Sequence, residues 1–110
     1  MQVIHLEEIK EREIVPGFKG RFIHSEKLTI AHWQIKGGSI LPDHSHHHEQ
    51  VINLIEGKFE LTIDEKITTL DAGGVAVIPS HISHSGRALT DCYVIDIFYP
   101  VREDYKFGEK

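Results

Sequence analysis

The sequence predicts a single all-β domain built as an antiparallel sandwich or barrel. Three observations carry this. The 110 residues give room for one domain with a proper core. No segment is long and apolar at a 3.6-residue period. Short β-rich runs recur between turn signals along the whole chain.

Strands are expected over Phe18–His24, Leu28–Ile35, Ser39–His46, Gln50–Ile55, Lys58–Ile63, Lys66–Leu70, Val75–Ile78, His84–Leu89 and Cys92–Tyr99. The breaks between them have local causes. Gly37-Gly38, Gly57, Asp64-Glu65 and the run Asp71 to Gly74 supply residues that tolerate positive φ, and Pro79 removes a ladder donor. No repeat or low-complexity tract interrupts the pattern. The domain therefore spans 1–110, with a barrel core over about 18–100, an N-terminal strand segment over 1–17 and a charged tail over 102–110. Met1–Lys10 and Arg102–Lys110 are the expected loose ends.

Composition excludes several classes of function. A formal net charge of −5 provides no basic stripe for nucleic acid. The longest apolar stretch, Val75 to Pro79, is five residues, far short of the roughly 20 that cross a bilayer. The charged N-terminus lacks the apolar region of a secretory signal, so a cytoplasmic location is expected. Cys92 is the one cysteine, which excludes an internal disulfide and a thiolate metal cluster.

Histidine is where the sequence departs from the ordinary. Nine are present, four of them within His44–His48. On an extended strand His44, His46 and His48 would share one face, and neighbouring imidazoles on one face make a pair of metal ligands. The competing reading is a solvated loop beside Asp43 and Glu49. His47 and His48 are expected behind the ligands or facing solvent, with His48 in reserve because it lies on the face of His46. His81 is expected at the rim, while His5, His24 and His32 read as strand or surface residues.

The spacing from Gly38 onward runs five residues to His44, one to His46, three to Gln50 and six to Gly57, and a second run places Gly73, five residues, Pro79, four residues, His84. These paired motifs resemble the two cupin signatures. The resemblance implies a single-domain cupin, a double-stranded β-helix or jelly-roll barrel. It also implies one divalent transition metal ion, whether nickel, zinc, iron, manganese or cobalt, held by His44, His46, Gln50 and His84. Three positions depart from the general cupin pattern: Gln50 stands where many members have glutamate, His81 where the second motif has glycine, and Ala88 where asparagine is common. Glutamine in place of a carboxylate leaves the site one negative charge poorer and raises the Lewis acidity of a bound ion.

The last expected strand alternates Tyr93, Ile95, Ile97 and Tyr99 on one face with Cys92, Val94, Asp96 and Phe98 on the other. Asp96 is the odd member of an otherwise apolar segment. It either lies buried against a partner, Arg102 being the obvious candidate, or faces a cavity that holds metal and substrate.

The stretch from Pro79 to Tyr105, with His44 to Gln50, resembles the pectin-degradation cupins of the KdgF type. That resemblance implies ring opening of 4,5-unsaturated monouronates from pectin or alginate to the linear 5-keto-4-deoxyuronate, with Asp96, Phe98 and Arg102 lining the reacting site. The chemistry needs protonation at carbon 4, water addition at carbon 5 and collapse of the hemiketal, with Asp96 as proton shuttle and Arg102 as a carboxylate clamp. Two other readings stay open on the same barrel: a metal-dependent oxygenase and a non-catalytic sugar- or metabolite-binding module. A small-molecule partner is expected in each case. A homodimer is also expected, with Phe18, Phe22 and Ile23 supplying the seam.

Overall fold

The computed structural model describes residues 1–107. Ten strands follow one short 3-10 turn at Leu6–Glu8: β1 Arg12–Val15, β2 Phe18–His24, β3 Thr29–Ile35, β4 Ile40–His44, β5 Glu49–Glu56, β6 Lys58–Ile63, β7 Lys66–Asp71, β8 Val75–Ile78, β9 His84–Ala88 and β10 Cys92–Tyr99. They form two antiparallel sheets, one six-stranded in the order β1-β2-β3-β10-β5-β8 and one four-stranded in the order β4-β9-β6-β7. The expected all-β architecture is therefore present.

Turn chemistry sets the register. Asp64 and Glu65 both have positive φ, 48° and 68°, in the two-residue link between Ile63 and Lys66, the twist that suits a tight hairpin. Gly57 has φ 100° between β5 and β6, and a Cβ there would meet the Asp91 carbonyl oxygen at 2.3 Å. Only glycine fits that link.

Alternation delivers one face of each sheet to a common core. Phe18, Phe22, Trp33, Ile35, Ile52, Leu54, Val94 and Phe98 come from the larger sheet, with Phe59, Leu61 and Ala88 from the smaller. Phe18 meets Phe59 edge-on across the gap, with ring centroids 6.5 Å apart. Truncating a residue as buried as Leu54 or Leu61 to alanine costs about 2–5 kcal/mol.

Four expectations need correction. The strand expected over Ser39–His46 ends at His44, and residues 45–48 form an irregular connection, so strand alternation does not place His46 and His48. The N-terminal strand segment expected over 1–17 is strand only at β1, which pairs with β2. The tail is not loose through residue 107: Val101 and Arg102 are buried, and Tyr105 stacks on Phe22 with centroids 4.5 Å apart. The aromatic surface of Phe22 and Trp33 gives the tail an apolar seat, while 108–110 lie outside the described residues. Phe18 and Phe22 point into the core, so they cannot supply a dimer seam.

Candidate metal centre

Three histidines converge at one end of the gap between the sheets. His44 ends β4 and His84 begins β9, directly opposite each other in the ladder, with ring centroids 4.2 Å apart. His46 arrives from the connection to β5, its ring 5.6 Å from that of His44 and 5.0 Å from that of His84. One nitrogen of each ring lies within 4.8 Å of the others.

The tautomers follow from backbone geometry. In each ring Nδ1 donates to a carbonyl oxygen: His44 to Pro42 at 2.8 Å, His46 to His48 at 3.0 Å, and His84 to Ile82 at 2.9 Å. The proton is thereby fixed on Nδ1, and Nε2 presents a bare lone pair. His84 Nε2 is buried without a hydrogen-bond partner. Burial, with smaller contributions from His44 and His46, pushes His84 down to about 4, so its ring is neutral at physiological pH. Burial, and then the Arg102 charge, also lowers His46.

Gln50 enters from the opposite sheet, on β5. Its Nε2 donates to Asp96 Oδ2 at 3.1 Å, which turns Oε1 toward His46 Nε2, also 3.1 Å away. Two lone pairs then face each other. Neutral imidazole and amide oxygen repel there unless a cation lies between them, and a proton is disfavoured by the lowered basicity of His46. The donor set of three Nε2 atoms and one amide oxygen fits a divalent transition ion.

Asp96 sits behind Gln50 on β10 and is buried. Its Oδ2 accepts from Trp33 Nε1 at 3.0 Å as well as from Gln50, both residues lying diagonally across from it on the neighbouring strands β3 and β5. Oδ1 is buried and unpartnered. Burial pushes Asp96 up to about 7, partly offset by these two donors and the nearby Arg102 charge.

Arg102 does not pair directly with Asp96. Its Nε and Nη2 donate to Asp104 at 3.0 and 2.7 Å, while the guanidinium lies 4.7 Å above the Phe98 ring and 4.1 Å from that of Tyr105. Two residues along a tight turn, Asp104 reaches the fork more easily than a strand carboxylate can. The bidentate edge expected for a ligand is thus occupied by the chain itself. Gln50, Asp96, Phe98, Arg102, His44 and His84 all border one cavity of about 60 Å³, which runs inward past Trp33 and Tyr105 between the sheets.

The remaining histidines separate clearly. His48 is buried, stands outside the triad and supplies the carbonyl that orients His46, so it supports that ligand and does not face solvent. His47 is exposed. His81 is exposed with φ 67°, the left-handed region where glycine is at ease, and its N–H donates to the His46 carbonyl at 2.8 Å. Sequence reading did not single out Trp33 or Tyr105. The one signal for Trp33 was its place on the inner face of an alternating strand, and Tyr105 had been assigned to the tail.

A cupin domain matches residues 31–98, and the chain belongs to the cupin family. Among solved structures it is similar to KdgF from Halomonas sp., at 27% identity over 94% of this chain and 97% of that one, with a TM-score of 0.88. It is equally similar to an RmlC-like cupin from Shewanella frigidimarina, at 28% identity over 96% of each chain and a TM-score of 0.89. The oxalate decarboxylase of Bacillus subtilis, studied for its Mn(II) centres, shares the fold at 22% identity over 92% of this chain and 30% of that one, with a TM-score of 0.82. No curated protein sequence matches the chain significantly. No helix among the described residues is long and apolar enough to cross a membrane.

Proposed function

We propose that this cupin is a metal-dependent enzyme that opens the ring of 4,5-unsaturated monouronates to the linear 5-keto-4-deoxyuronate. The observation that carries the reading is the join between two groups of residues. Gln50 offers its oxygen to the histidine triad and its N–H to a buried carboxyl that changes protonation near neutral pH. A metal-binding set and a proton-transfer group so linked are what the isomerisation needs, and the likeness to KdgF agrees with that pairing.

His44, His46, His84 and Gln50 would hold the ion, which when bound supplies Lewis-acid chemistry toward a carboxylate or ring oxygen. The chain's own residues do the rest. Asp96 directs Oδ2 to Trp33 and Gln50, so a proton on this carboxyl resides on Oδ1, the oxygen left without a partner. From there it can be given to carbon 4 and replaced from the added water. Arg102 contributes positive charge at the cavity wall, and Phe98 and Tyr105 hold that charge in place.

The test is the decay of ultraviolet absorbance of an unsaturated galacturonate with protein loaded in turn with nickel, zinc, iron, manganese and cobalt. Acceleration over the spontaneous rate is expected with at least one ion. Asp96→Asn should lower turnover about 10²–10⁴-fold with metal content unchanged. No acceleration with any ion overturns the proposal. Acceleration that Asp96→Asn matches keeps the reaction and removes the proton shuttle.

A further inference from the structure

Arg102 and Asp104 are unequal partners. The Arg102 side chain is 10% exposed, that of Asp104 58%. The guanidinium packs on both the Phe98 and the Tyr105 ring, and the backbone on either side of Asp104 is tied down. The Arg102 N–H donates to Thr29 Oγ1 at 2.9 Å, the Thr29 hydroxyl donates to His24 Nδ1 at 2.9 Å, and His24 Nε2 donates to the Tyr105 carbonyl oxygen at 3.2 Å. Tyr105 is fixed again by its stacking on Phe22. Rotation of the Asp104 side chain alone would therefore empty the Arg102 fork, with no movement of the backbone or the guanidinium.

Arg102 borders the cavity and Asp104 does not. We infer that Asp104 is a removable stand-in for a ligand carboxylate: it fills the fork in the free protein, swings into water when an anionic sugar arrives, and so selects acids over neutral sugars. The inference rests on the reading of the ligand as a uronate. Asp96, the other carboxyl of the cavity, has Oδ2 engaged by Trp33 and Gln50 and leaves the fork alone.

Exchange of one carboxylate for another is balanced, with two N–H···O bonds lost and two made and no donor left unpaired. A neutral sugar offers no charge-assisted pair and does not displace Asp104. Competition also weakens binding of the acid itself, because the apparent affinity falls by the fraction of molecules whose fork is free. For an ion pair with one well-exposed member, a fork free in about one molecule in ten is a reasonable scale, which weakens binding about tenfold.

Nuclear magnetic resonance titration of the zinc-loaded full-length protein with D-galacturonate, which lacks the double bond the proposed reaction acts on, tests this. Asp104→Ala should lower the dissociation constant about tenfold, and Asp104→Asn, which keeps one acceptor, should lower it less. Glu103→Gln removes the same charge one residue away, from a side chain that pairs with Lys106, and should change it less than about twofold. The methyl ester of galacturonate should gain nothing from Asp104→Ala, and the gain for the acid should vanish when Arg102→Gln is added. An Asp104→Ala protein that binds the acid no better than Glu103→Gln overturns the inference. So does an equal gain for the ester, a gain that survives Arg102→Gln, or no galacturonate binding by any of these proteins. Turnover of the unsaturated uronate without the gain leaves the reaction standing and removes this role of Asp104, whereas the gain without turnover keeps the role and removes the reaction.

Discussion

Asp96→Asn in the metal-free protein isolates the energetics of the buried carboxyl. The side chain has an ordinary value of 3.8 and is pushed up to about 7 by burial. Between those values the folded chain keeps a proton that the unfolded chain has released, so this group withdraws stability as pH rises through the window. About three units at about 1.4 kcal/mol each set an upper bound of about 4 kcal/mol, fully withdrawn once pH passes about 7. His84 acts in the opposite sense. Pushed from 6.5 down to about 4, it is favoured neutral by the fold, so it contributes stability as pH rises from about 4 to 6.5. In the wild type the two slopes oppose each other, and a simple pH–stability profile hides both.

The variant separates them. Asparagine can keep an oxygen toward Trp33 and Gln50 and does not titrate, while its amide N–H at the unpartnered position adds an offset independent of pH. Urea unfolding with chelator present, repeated from acid to mildly alkaline pH, gives the variant-minus-wild-type difference in stability. That difference should climb by up to about 1.4 kcal/mol per pH unit from about pH 4 and level off above about 7. A flat or falling difference refutes the account of Asp96. Adding a divalent ion should shrink the climb, because positive charge beside Gln50 lowers the carboxyl.

Three further outcomes are expected. Metal analysis should find close to one divalent ion per chain, lost in His84→Ala and released from the wild type as pH falls toward about 4, where protons compete for the His84 ring; full retention in His44→Ala/His84→Ala would sink the ligand assignment. By isothermal titration, Gln50→Glu should bind the ion more tightly and Gln50→Leu more weakly, and equal affinities for all three proteins would make Gln50 a bystander. His81→Gly should stabilise by up to about 1 kcal/mol in urea unfolding, since glycine adopts φ 67° without the crowding a Cβ brings, and a loss of stability would mean the imidazole makes a contact of its own.

Strand positions were legible wherever apolar alternation ran up to a turn residue, and the bounds of Phe18–His24 and Cys92–Tyr99 agree with β2 and β10. The inward aim of Asp96 could be read from the same alternation. Its partners could not, because Trp33 and Gln50 stand 63 and 46 residues away and meet it only through strand pairing. The motif spacing singled out His44, His46 and His84, which converge as a triad, though not by the strand alternation invoked for them. The connection over residues 45–48 leaves the β ladder, and a period-2 argument has no hold on such backbone. Arg102 could be read as a partner of Asp96 or as a clamp for a ligand carboxylate, and a tight turn gives its fork to Asp104 instead.

The four donor side chains do not belong to one layer. His44 and His84 come from the four-stranded sheet, Gln50 from the six-stranded sheet, and His46 from the span that crosses between them. An ion gripped by all four would act as a rivet through the sandwich, resisting shear of one layer over the other. Sliding the sheets apart would then break coordination and expose the core in one event. Chelation should accordingly loosen the amide hydrogens of β4, β9 and β5 together, and a pull applied across the layers should rupture at higher force in the loaded protein than in the stripped one.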